Sequence, residues 1–140
     1  MADESVLLDT HVWIWLVTGN ERLALSPALA TILKAQELGQ VFVSTISVWE
    51  VAMLEMKGRI RIQYAMKQWI ENALAAPGVQ LQGVTPSIAL ESTRLPGEFH
   101  SDPADRMLMA TARDLNIPFI TADNLILAYA DWKYMKVVAA

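Results

Sequence analysis

Five short apolar runs constrain this chain more than anything else in it: VLLD (6–9), VFVST (41–45), VQLQGV (79–84), PFITA (118–122) and KVVA (136–139). Each has the length and composition of a strand. Between them lie stretches with helical spacing. Ser26 and Pro27 open a helix that stops at Gly39, and Ser47 begins another that runs to about Lys57 before Gly58. Residues 64–75, 86–94 and 103–115 predict further helices, and NLILAYA a short one. Strand and helix alternating in this rhythm predict an α/β fold, a central and mainly parallel sheet of about five strands with helices on both faces.

A chain of 140 residues is long enough for one domain with a real core, so a single domain over 1–140 is expected. The hydrophobic share is 54% against 19% charged, a surplus consistent with some apolar surface being covered by a partner. No apolar run reaches the roughly 18 to 20 residues of a membrane span, and MADES lacks the basic segment and cleavage pattern of a signal peptide, so a cytoplasmic protein without membrane contact is expected. Cysteine is absent, which leaves oxygen or imidazole as metal ligands and favours hard cations such as Mg²⁺ or Mn²⁺. With 15 acidic and 11 basic side chains, the net charge of −4 means that nucleic-acid binding would need a local basic patch.

In open parallel sheets, ligands bind beyond the carboxyl ends of the strands. Asp9 ends the first run, Glu50 lies a turn into the helix after the second, Asp105 is in the first turn of the 103–115 helix, and Asp123 follows PFIT. Each has an ordinary structural use. Ser47 and Glu50 have capping-box spacing, Asp102 and Asp105 repeat it, Asp123 is placed to cap NLILAYA, and Asp9 to bind amides at the entry to HVWIWL. Together on one rim they would repel unless a cation held them. An oxygen-only divalent metal site suits phosphoryl chemistry, in which an activated water attacks phosphorus in line and no nucleophilic side chain is required.

LLDTH (7–11), SVWE (47–50), DPADRMLMATA (102–112) and ITAD (120–123), in this order, resemble PIN-domain ribonucleases, in particular the VapC toxins of type II toxin–antitoxin pairs. The resemblance spans essentially the whole chain. It implies an α/β/α sandwich, Mg²⁺ or Mn²⁺ dependence, endonucleolytic cleavage of RNA, a homodimeric toxin and neutralisation by a VapB-like antitoxin. It assigns Asp9, Glu50, Asp105 and Asp123 to the metal site and catalysis, with Thr10, Asp102 and Thr121 supporting them from behind. His11 stays unassigned. Asp102 and Pro103 would start a helix that points Asp105 at the strand ends, with residues 107–112 anchored on the sheet.

Lys57, Arg59 and Arg61 form the densest basic cluster and, with Arg106, are the expected RNA contacts, although cations also suit a helix C-terminus. Trp13, Trp15, Trp49, Met53 and Met56 are assigned by default to the core, with part of that surface left for an antitoxin helix or the dimer. Two other classes compete. A metal-dependent phosphatase of the haloacid-dehalogenase kind wants a second Asp where His11 stands. A binding module that keeps the acids but turns nothing over has the same sequence signature.

Overall fold

The computed structural model describes residues 4–97, 102–130 and 134–140. Five strands, β1 (Val6–Leu8), β2 (Val41–Ser44), β3 (Val79–Gln82), β4 (Phe119–Thr121) and β5 (Val137–Ala139), pair in parallel in the order β3-β2-β1-β4-β5. The connections from β1 to β3 carry α1 (Thr10–Thr18), α2 (Glu21–Ala24), α3 (Ala28–Glu37), α4 (Thr45–Met56) and α5 (Met66–Leu74). After β3 come α6 (Pro86–Ser92) and α7 (Pro103–Leu115), and after β4 comes α8 (Asn124–Ala130). Among the described residues no helix is long and apolar enough to cross a membrane.

Successive strand side chains point to opposite faces, so the sheet divides its apolar residues between two cores. Val6, Leu8, Val41, Val43 and Ile120 meet Val12, Trp13, Ile32, Val51 and Trp69 from helices of the first two connections on one face. Leu7 and Phe119 meet Ile88, Leu108, Met109, Ala110 and Ile126 on the other. The result is the expected three-layer α/β/α sandwich. Successive strands are added to one side of β1 up to β3 and to its other side from β4 on, which makes the crevice at the carboxyl ends of β1 and β4 the switch point.

The α4 helix starts earlier than the sequence suggests. Its N-cap is Ser44, the last residue of β2, whose Oγ accepts from the Ile46 amide at 3.0 Å. Ser47 is therefore inside the helix and fully buried, and the expected capping box between Ser47 and Glu50 does not form there. One residue closes the strand and opens the helix, a tight junction that leaves no loop. The ends of other elements also shift: the 64–75 helix begins at Met66, the 86–94 helix ends at Ser92, and the 79–84 strand ends at Gln82. The short α2, capped by the Asn20 side chain, has no apolar periodicity to announce it. By contrast α7 begins and ends where its sequence indicates. The Asp102 carboxylate accepts from the Asp105 amide, Pro103 occupies the first turn, and Asn116 closes the helix in the left-handed region at φ 53°.

Candidate active site at the carboxyl ends of the strands

Asp9 directly follows β1 and caps α1, while its backbone N–H still bonds the Ile120 carbonyl of β4 at 2.9 Å. The residue is 8% exposed. Oδ1 accepts from the Thr10 amide and Oδ2 from the Thr121 hydroxyl, both at 2.8 Å. Thr121, the fully buried last residue of β4, also accepts from the Asp123 amide at 3.0 Å. Asp123 in turn accepts from the Leu125 amide at 2.8 Å, which holds the first turn of α8. A run of short bonds thus ties the ends of the two central strands together.

The same run continues to α4. The Thr10 hydroxyl donates to Glu50 Oε1 at 2.5 Å and lies 2.8 Å from Ser47 Oγ. A hydroxyl has one proton to give, so with Thr10 committed to Glu50 the Ser47 hydroxyl donates to Thr10. Ser47 belongs to this constellation, although it was singled out from sequence only as a helix cap. Its signal was present, since positions three apart on a helix share a face and Ser47 precedes Glu50 by three.

These carboxylates sit in one electrostatic field. Burial pushes Glu50 up from its ordinary 4.5 to about 7; the Thr10 bond opposes this, and repulsion from Asp105, Asp9 and Asp102 adds to it. Burial likewise raises Asp9, against the bonds from Thr121 and Thr10 and the charge of His11, while Asp123 raises it further. Acids from four chain-distant segments therefore act on one another, with half-buried Asp105 one turn into α7 and exposed Asp102 at its cap. Among the described residues, however, no three acidic or imidazole side chains are drawn close enough to chelate a common ion.

The basic residues do not form one patch. Lys57 and Arg59 border a groove of about 540 Å³ between α4 and the start of α7, shared with Trp49, Glu50, Asp102 and Pro103. Arg61 borders a separate, apolar pocket of about 730 Å³ beside Trp13, Tyr64 and Trp69. Arg106 donates from Nε to the Ser92 carbonyl at 2.9 Å and so fastens α7 to α6. Of the conspicuous apolar residues, Trp13 is core and stacks edge-on against Trp69 at 5.2 Å. Trp15 and Met53 are half-buried, whereas Trp49 is 55% and Met56 69% exposed.

The PIN domain family model matches residues 6–131. Ribonuclease VapC22 of Mycobacterium tuberculosis is 36% identical over 120 residues, covering 86% of this chain and 88% of that protein. Among solved structures, the DNA-bound VapBC complex of Salmonella typhimurium contains a chain that superposes with a TM-score of 0.66 at 12% identity, covering 96% of this chain and 97% of that one. FitAcB from Neisseria gonorrhoeae gives 0.57 at 20% identity, with 94% and 95% covered. At such identities these two likenesses concern the fold. The family rests on the sequence match along nearly the whole chain and on the agreement of that fold with it: this protein belongs to the PIN-domain family.

Proposed function

We propose that this protein is a divalent-metal-dependent endoribonuclease, the toxin of a type II toxin–antitoxin pair, with Asp9, Glu50, Asp105 and Asp123 as its metal-holding and catalytic residues. The relative at 36% identity is named a ribonuclease VapC, and the Salmonella neighbour is a VapBC complex bound to DNA. The observation that carries the reading is the hydroxyl network at the strand ends, in which Thr121 holds Asp9 and Thr10 holds Glu50; burial first, and then repulsion from Asp105, Asp9 and Asp102, raises Glu50 to about 7, a cost that a cation relieves.

The donor set suits a hard ion, since it offers only oxygen. Such an ion, when bound, supplies water activation for in-line attack on phosphorus and neutralises the departing oxygen. The chain's own hydroxyls do the positioning: Thr121 holds Asp9, Thr10 holds Glu50, and Ser47 holds Thr10. Lys57 and Arg59 flank the groove for the RNA backbone. A VapB-like antitoxin and a second copy of the chain are the expected protein partners.

The test is cleavage of end-labelled tRNA and structured RNA by purified protein with Mn²⁺ or Mg²⁺, with chelator and Asp105→Asn as matched controls. Discrete fragments that need the metal and vanish in the folded variant are expected. A fully active Asp105→Asn variant, or no cleavage across a broad RNA set, would instead favour a binding module. Growth arrest on induction, lost in Asp9→Ala and relieved by a neighbouring small gene, identifies the toxin role.

A further inference from the structure

The α4 helix turns one stripe toward the groove beside the acids: Ile46, Trp49, Glu50, Met53, Leu54 and Lys57, at the spacing of a single helical face. Across the groove stand Pro103, Ala104 and Met107 of α7. Trp49 is the anomaly on this stripe. It is 55% exposed, it adjoins Glu50 in sequence, and burial, the usual use of a tryptophan, has not claimed it. Two full turns further along, roughly 10 Å from Glu50 on helical rise, Lys57 stands at the groove's edge with Arg59.

An exposed aromatic face beside carboxylates, with cations further along the same groove, suits single-stranded nucleic acid: a base stacks on the ring and phosphates meet the cations. Resting on the ribonuclease reading above, we infer that Trp49 is a stacking platform for one unpaired base of the RNA, next to the phosphate to be cut. Lys57 and Arg59 hold the backbone that leads away from it. Charge separation along the groove favours this occupant over a protein helix. The groove's two acids, Glu50 and Asp102, act on each other at the end by the strand termini, and its two cations, Lys57 and Arg59, stand at the other, so a polyanion crossing the groove meets cations where it leaves the site. A base inside a duplex has both faces covered by its neighbours, so Trp49 selects for unpaired RNA. Trp49 is thus a positioning residue for substrate, and Glu50 beside it belongs to the chemistry.

The experiment measures binding without turnover, by fluorescence anisotropy of a labelled 12-nucleotide single-stranded RNA of mixed sequence and of its duplex, in Mg²⁺, with the full chain carrying Asp105→Asn. In that background, Trp49→Ala is expected to weaken single-strand binding about five- to hundredfold, the range of one lost base stack. Trp49→Phe should restore most of it, duplex binding should change little, and the salt slope should stay the same because no phosphate contact is removed. Single-strand affinity unchanged in Trp49→Ala overturns the inference, as does a loss that Trp49→Phe does not restore or that duplex shares equally. No RNA binding by the parent overturns it too. An unchanged affinity in Trp49→Ala alongside metal-dependent cleavage by the wild type would sink the stacking role and leave the nuclease standing. The converse result, stacking-dependent binding without cleavage, would keep Trp49's role and remove the nuclease.

Discussion

At the scale of single residues, three hydroxyls carry the organisation of the candidate site. Thr121 gives Asp9 one of the two bonds that compensate its burial, so Thr121→Val should cost about 1.5 to 3 kcal/mol, the worth of a hydrogen bond to a charged group, in urea unfolding at pH 8. Thr121→Ser keeps the donor and should recover most of that. The acids themselves make stability depend on pH. Glu50 is raised from 4.5 when unfolded to about 7 when folded, so the folded state holds the extra proton between those values. Its stabilising contribution is complete below about 4.5 and lost as pH rises through 7. In chelator, wild type should therefore lose stability relative to Glu50→Gln across that window, and added Mg²⁺ should oppose the loss. Parallel pH profiles for the two proteins, by thermal unfolding, would contradict this. The partners in these bonds were not legible in the sequence. The family resemblance gives Thr10 and Thr121 a supporting role without saying which acid each holds, and Ser47 reads as a cap because Ser three residues before Glu is the usual cap signal. What displaced that reading is Ser44, which already satisfies the helix start one turn earlier.

At the scale of elements, Pro and Gly punctuation and apolar spacing placed all five strands and most helices to within a few residues. The 103–115 helix was the clearest because a cap, a first-turn proline and a left-handed closing residue all lie in its own sequence. Elements whose ends depend on a neighbour were less clear, such as the strand that stops at Gln82. Gly78, just before β3, shows how a neighbour sets such a boundary. Its φ is +82°, and a Cβ there would lie 2.2 Å from the Gln36 carbonyl oxygen near the end of α3. Gly78→Ala should thus destabilise by at least about 2 kcal/mol through strain and collision together, lowering the melting temperature by roughly 5 °C or more. A melting temperature within a degree of wild type would show that the turn can move.

At the scale of the whole molecule, function depends on where a chain of net charge −4 puts its few cations. Lys57, Arg59 and Arg61 are spaced like one patch, yet the chain carries Arg61 away to the pocket beside Trp13 and Trp69, leaving Lys57 and Arg59 by the acids. Lys57→Ala and Arg59→Ala should each reduce the slope of log affinity against log salt for single-stranded RNA by about 0.7, the value for one phosphate contact, and Arg61→Ala should leave it alone. Equal effects from all three, in salt-series binding measurements, would restore the single patch.

The sequence by itself determined what the elements are and at which of their ends the acids fall, because strand and helix formation follow local periodicity, caps and turn residues acting over a few positions. The tertiary structure decided which of those ends meet. Only the order β3-β2-β1-β4-β5 sets Asp9 against Thr121, 112 positions away, and Thr10 against Glu50, 40 positions away. That order comes from closing two apolar cores on opposite faces of one sheet, a property of the whole chain that no short stretch of it encodes.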